Sequence, residues 1–404
     1  MRFLSRRLTL IAAISFVLVL ALSLGFAARG PAASDDLERL IGESLLREAL
    51  HSAKIGAQWL EAHQQEAGHW SHPDYPAVSG LALTALMRSP GSEKSPNLSP
   101  VSKKAVEYIL SKVQKDGGIY QHIPDKKGGG LPNYNTSICM VALWETEDPD
   151  LEEVIKAARR FLIESQHKGV DVYHGGMGYD ASTNRAYADM SNTFHGMEAL
   201  NRTRVAELDD PAALFDWESA IGFVTRCQHL EATNDADWVR EYPAEKGGFI
   251  YHPKQTKADA ALDDDGKTTY PLAYGSITNA GLRSYMNARV KRTDPRAEAA
   301  YKWICKHWTL EENPRLGEQS LYFYYMTLAL ALDAYGEEYV VTPEGKRILW
   351  RKELLKKIIA LQKVESETGL GYWQNETNRW WEGDPNLVTS YMLIALDAVL
   401  PDNL

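Results

Sequence analysis

Cysteine is scarce in this chain. There are three, Cys139, Cys227 and Cys305, so at most one disulfide can form and a disulfide framework is excluded. Each lies in a stretch of helical pattern and reads as a small buried side chain. Basic clusters are missing as well. The formal charge is −10, and residues 1–27 hold Arg2, Arg6 and Arg7 without any acid, so the remainder is more acidic still. Affinity for a phosphate backbone rests on clustered Lys and Arg, so nucleic acid is not expected as a partner. Calcium-loop spacing is absent too: "ALDDDGK" sets Asp263, Asp264 and Asp265 side by side, with Ala261 where alternation would want an acid, and reads as a solvated turn. No motif calls for a cofactor or a metal.

What is present begins with a leader. "MRFLSRR" is a basic start, and "LTLIAAISFVLVLALSLGFAA" is an unbroken apolar run. Residues 1–27 are therefore expected to be a signal peptide, cleaved near Gly25-Phe26-Ala27, or an N-terminal membrane anchor, since the run is about 20 residues long. Either way the body is expected to be exported, periplasmic or held at the outer face of the cytoplasmic membrane. Ser5-Arg6-Arg7 has some likeness to a twin-arginine signal, but Thr9 stands where an aromatic is usual. Residues 28–50 form a linker and lead helix. The rest, 44% apolar over the whole chain, suffices for a large core.

Residues 51–404 repeat one unit six times. "WLEAHQQEAGHW" is the clearest copy, with Trp59, Gln64, Gly68 and Trp70; "ILSKVQKDGGIY" restates it with Gln114, Gly118 and Tyr120. "FLIESQ" and "GGMGYD", "FVTRCQ" and "GGFIYH", and "IIALQ" and "GLGYW" give further copies, with Gln166, Gln228 and Gln362. "WICKHW" is an eroded one, with Trp308 in the glutamine's place. Each copy pairs an amphipathic helix with a helix that is apolar on nearly every side. An inner ring of buried helices inside an outer ring of half-wet ones satisfies both patterns. The inner helices are expected around Leu81, Ile138, Met197, Ala280, Tyr325 and Leu393.

The Gln, three residues, Gly, one residue, Trp spacing resembles the QW repeat of squalene-hopene and oxidosqualene cyclases, within the prenyltransferase and squalene-oxidase repeat proteins. The resemblance covers the chain after residue 50 and implies an all-α, (α/α)6 toroid with a central apolar cavity, the size of one of the two toroids of those cyclases. It also implies where the chemistry should be. The family's acid lies in an Asp-x-Asp-Asp-Thr motif at the start of an inner helix, and the matching stretch here is Asp189-Met190-Ser191-Asn192-Thr193. Ser191 stands in place of the protonating acid, and a hydroxyl of ordinary acidity cannot protonate an alkene. Ser191 and Asn192 then read as helix caps supported by Asp189. The protein prenyltransferases of the same group hold zinc with Asp, Cys and His. Cys305 and His307, two apart on an outer helix, point in different directions and do not make such a site.

Candidate site residues remain. If any catalytic acid persists it is Asp189, or Glu382 or Asp384 beside the paired tryptophans. Four residues after the repeat glycine stand His72, His122 and His252, with Asp180 and Asn375 in the same place. Each either ties its own turn or joins a polar collar that binds a ligand or metal at the cavity mouth. Tyr322, Tyr325, Trp380 and Trp381 are core or cavity wall. Three functions are therefore open: a non-catalytic exported toroid binding an apolar, isoprenoid-like or peptide ligand, a terpene cyclase or isomerase with a non-standard acid, or a carbohydrate-active (α/α)6 enzyme.

Overall fold

Helical segments that are half wet cannot share a layer with segments that are apolar all round, and the chain separates them into two concentric rings. The computed structural model describes residues 31–401 apart from 124–128, 181–185, 209, 211–212, 240–243 and 263–268. The leader and the run Asp263 to Asp265 therefore lie outside the described residues. Helix α1 (Pro31–Ile41) leads in, and outer and inner helices then alternate. The outer ones are α2 (Glu43–Ala62), α4 (Pro100–Leu110), α6 (Glu152–Glu164), α8 (Trp217–Arg226), α10 (Pro295–Lys306) and α12 (Trp350–Leu361). The inner ones are α3 (Pro76–Arg88), α5 (Pro132–Glu145), α7 (Met190–Arg202), α9 (Gly275–Asn287), α11 (Leu321–Tyr335) and α13 (Pro385–Val399).

Each inner helix packs on the next, and α13 returns to α3, so the ring is closed. The result is the expected (α/α)6 toroid, with Leu81, Ile138, Met197, Ala280, Tyr325 and Leu393 all buried on inner helices. Among the described residues three two-stranded antiparallel ribbons decorate the loops: β1 (Ala260–Leu262) with β2 (Thr269–Pro271), β3 (Tyr339–Val341) with β4 (Arg347–Leu349), and β5 (Lys363–Val364) with β6 (Gly371–Tyr372). The three cysteines are free and buried. Among the described residues no helix is long and apolar enough to cross a membrane.

Local chemistry sets the helix starts. Six of the thirteen helices named above, α1, α3, α4, α5, α10 and α13, open on a proline, whose missing N–H is not needed there and whose φ is already helical. The turn glutamines work between hairpins. The Gln64 amide donates to the carbonyls of Gly68 in its own turn and of Val101 at the start of α4; Gln166 and Gln228 likewise span to Asp216 and Arg296. Gln362 closes the ring, donating to the Ser52 carbonyl at 2.9 Å and accepting from the Ser52 hydroxyl at 2.8 Å. There the Trp373 ring lies so close to Gly56 that a Cβ would meet it at 2.8 Å.

One bond recurs in five of the six hairpins. The backbone N–H of Trp70, Ile119, Met177, Phe249 and Trp373 donates to the hydroxyl of Ser79, Thr136, Thr193, Thr278 and Thr389, in the first turns of the inner helices. This places the turns in a register that differs from the sequence alignment. Gly68 has φ 86, and its counterparts by φ are Gly117 (86), Gly175 (85) and Gly247 (94), one residue before Gly118, Gly176 and Gly248. Their positive φ admits glycine readily, and a Cβ at Gly175 or Gly247 would strike the backbone of the next outer helix.

Candidate active site

The shifted register decides which side chains reach the barrel axis. Two residues beyond each turn's bonded N–H stand His72, Gln121, Tyr179, Tyr251 and Asn375. Tyr179 and Tyr251 line a cavity of about 220 Å³ at the end of the barrel where the inner helices begin, and their hydroxyls are 3.1 Å apart. His122, Asp180 and His252 fall one position further on. His122 is exposed, Asp180 is half-buried, and buried His252 packs against Tyr173 and Tyr187. Three of the five collar positions make one local bond: His72 Nδ1 accepts from Asp74 N, His252 Nδ1 from Lys254 N and Asn375 Oδ1 from Thr377 N. Among the described residues no group of three or more His, Cys, Asp or Glu could hold a metal.

Aromatic and aliphatic side chains make the cavity wall, including Tyr75, Leu81, Tyr134, Tyr274, Phe323 and Tyr391. Trp380 and Trp381 stand at its mouth, 43% and 46% exposed. Trp381 meets Tyr75 edge-on at 4.9 Å, and the Arg379 guanidinium lies 4.1 Å from the Trp380 ring centre. Both tryptophans have positive φ, 54 and 69, a conformation that costs a non-glycine residue about 1 to 3 kcal/mol. The strain coincides with the mouth. Tyr322 and Tyr325 do not line this space; Tyr325 donates its hydroxyl to the Leu310 carbonyl at 2.6 Å, and Phe323 faces the lumen instead.

Glu382, next to the tryptophans, is 1% exposed and lines the cavity. Its carboxylate takes the place of a missing cap. Ser320 precedes α11 in a left-handed conformation (φ 56) and makes no cap bond, so Glu382 accepts from Phe323 N at 2.7 Å and Tyr322 N at 3.3 Å, and from the Asn375 amide at 2.7 Å. Burial pushes its pKa up to about 7, against the pull of these donors. Asp384 caps α13 through Asn386 N at 2.9 Å and does not line the cavity.

Asp189 is fully buried one layer behind the wall. It is itself the cap of α7: one oxygen accepts from Asn192 N at 2.9 Å, the other from the Asn192 side-chain amide at 2.8 Å. Burial raises its pKa, and hydrogen bonds from Asn192, Tyr187 and Tyr251 oppose the rise. Ser191, expected as a cap, instead faces the lumen. The reason is geometric: the capping oxygen must come from the residue before the first turn, which leaves Ser191 on the axial side.

The opposite end of the barrel is closed by charge. Glu198 accepts from Arg283 Nε and Nη2 and from the Asn287 amide, all at 2.8 Å, and from Arg202 Nε at 3.1 Å. Arg88 holds Glu145 at 2.6 Å and approaches Asp397 at 4.0 Å. Burial alone would raise the Glu198 pKa, but Arg283 and Arg202 hold it well below the usual carboxylate range. The sequence signal for this plug is a set of charged residues in the closing turns of otherwise apolar inner helices.

No protein-family model matches this sequence, and no curated protein does. Solved structures do share its fold. A GH76A α-1,6-mannanase from Salegentibacter matches with a TM-score of 0.53 at 13% identity, covering 87% of this chain and 99% of that one. A type II terpene cyclase, MstE from Scytonema, matches at 0.50 and 12%, covering 89% and 99%. An α-amylase from Clostridium perfringens matches at 0.50 and 10%, covering 86% and 97%. At such identities the likeness is one of fold, an (α/α)6 toroid common to terpene cyclases and glycosidases.

Proposed function

We propose that this protein binds an apolar, isoprenoid-like molecule in the cavity at the mouth of its toroid and does so without cyclising it, in an exported location. One observation carries the reading: an aromatic-walled, largely apolar cavity in which Glu382 is the one carboxyl among the described lining residues. Ser191 occupies the lumen-facing position two residues after Asp189, and the carboxylate of Asp189 is engaged by Asn192 behind the wall. Alkene protonation asks for a strong acid exposed to the substrate, and a carboxyl with a pKa near 7 is a weak one. Glycoside hydrolysis in its usual form asks for two carboxyl groups flanking the bond, roughly 5 to 9.5 Å apart, and the cavity offers one.

Glu382 also favours a second reading, acid-assisted isomerisation of an oxygenated terpenoid, since a carboxyl neutral near pH 7 can donate a proton to oxygen more readily than to carbon. Two measurements test these readings. Solvent extracts of protein purified from its native host are expected to release a terpenoid or similar apolar compound, and titration with C10 to C15 isoprenoids to quench Trp380 and Trp381 fluorescence. Turnover of polyprenyl substrates that is lost in Glu382→Gln would overturn the binding-only reading. A reporter active only outside the cytoplasm, fused after residue 60, tests the location; a stable but silent fusion would refute it.

A further inference from the structure

At the deep end of the cavity one polar atom stands apart. His195 sits on α7 one turn below Ser191, so both side chains fall on the same helix face, and both line the cavity. His195 is 8% exposed, and its Nε2 has no hydrogen-bond partner. Its surroundings are rings: Tyr134 edge-on at 5.0 Å, Phe194 at 4.8 Å and Phe323 at 6.1 Å. Below it a void of about 50 Å³ leads toward Glu198 and Arg88. A buried nitrogen left unpaired costs about 1 to 3 kcal/mol, whereas a phenylalanine or leucine there would complete the apolar wall without cost.

We infer that the ligand is not a hydrocarbon but an apolar molecule carrying one hydroxyl or carbonyl oxygen, which enters oxygen first and seats that atom on His195 Nε2. The inference rests on the reading of the cavity as an apolar ligand site. Burial lowers the His195 pKa to about 4, with Glu198 opposing, so the ring is neutral at physiological pH and recognises the oxygen by hydrogen bonding rather than by charge. A hydroxyl satisfies either tautomer; a carbonyl satisfies only the one with hydrogen on Nε2. Size agrees with a small terpenoid: an apolar cavity of about 150 Å³ takes up benzene, and this one is about 220 Å³.

Three matched ten-carbon cages test this: bornane, a hydrocarbon, borneol, its alcohol, and camphor, its ketone, titrated against tryptophan fluorescence. The readout is the ratio of the bornane Kd to the borneol Kd, compared between wild type and His195→Phe. The wild-type ratio is expected to be at least about tenfold larger than the variant's, the worth of one buried hydrogen bond, with camphor telling which tautomer is present. His195→Gln, which keeps a donor and an acceptor, is expected to retain part of the preference and serves if the phenylalanine variant does not fold. Equal ratios in wild type and variants, with bornane still bound, would overturn this inference alone and leave the nitrogen to a buried water. A wild type that binds none of the three would overturn the apolar-site reading with it.

Discussion

The two ends of the barrel solve opposite problems. At the base, Arg88, Glu145, Glu198, Arg202, Arg283 and Asp397 approach one another across the axis, each charge offset by its neighbours, and the end is shut. At the mouth the buried carboxyls, Glu382 and Asp189, accept from backbone N–H groups and amides rather than from guanidinium groups, and tyrosines and tryptophans leave a space between them. The base uses charge for closure; the mouth uses dipoles and rings to keep an opening. Burial acts on both ends, yet the pKa of Glu198 falls and that of Glu382 rises, because cations stand beside the first and only neutral donors beside the second.

The largest expected effect breaks the base. Arg283→Met leaves Glu198 buried without its bidentate partner and should cost about 3 to 5 kcal/mol in urea unfolding, while adding Glu198→Met should recover most of the loss. At the mouth, Glu382→Gln replaces one accepting oxygen with an NH2 that faces groups which only donate, and should cost about 1 to 3 kcal/mol.

The same variant sharpens the comparison through pH. In the folded protein Glu382 keeps its proton where the unfolded chain has released it, so its contribution to stability is full below the ordinary value of 4.5 and is lost as pH rises toward about 7. Glu198 does the reverse, stabilising at neutral pH and losing that contribution as pH falls through and below the ordinary carboxylate range. Unfolding free energy measured from pH 4 to 8 should therefore fall less steeply with rising pH in Glu382→Gln than in wild type.

Asp189→Ala removes the cap of α7 and is expected to cost about 0.5 to 2 kcal/mol in thermal or urea unfolding. Trp381→Gly should stay within about 1 kcal/mol of wild type, since release of the positive-φ strain offsets the lost contact with Tyr75, yet should weaken ligand binding in the fluorescence titration. The smallest effect is expected from Ser191→Ala. As a cap it would have mattered; as a lumen side chain it should change stability by no more than about 0.5 kcal/mol.

The rings of helices were legible because burial on all sides leaves an unmistakable pattern, as in "LYFYYMTLALALDAY" against "AVEYILSKVQ". The turns were legible to within one residue. "DGGIY", "HGGMGY" and "KGGFIY" each carry two adjacent glycines, and spacing alone chose the second of the pair where the positive φ falls on the first. That slip exchanged Tyr179 and Tyr251 for Asp180 and His252 in the proposed collar. Trp380, Trp381 and Glu382 were singled out by composition, but nothing local tells that Glu382 caps a helix beginning about sixty residues earlier. His195 was hidden in plain view: Ser191 and His195 are four apart, and only a reading of helix faces would have put both in the lumen.

The bond between Ser52 and Gln362 joins residues 310 apart in the chain. A row of hairpins that never met itself could zip up from any point and fray from either end, with stability summed neighbour by neighbour. Closing the row removes both liberties. The last seam forms only after nearly the whole chain has found its place, so contact order is high and folding should be slow for so helical a molecule. Once shut, no hairpin is terminal, and amide exchange should show a single cooperative opening rather than a gradient from the ends.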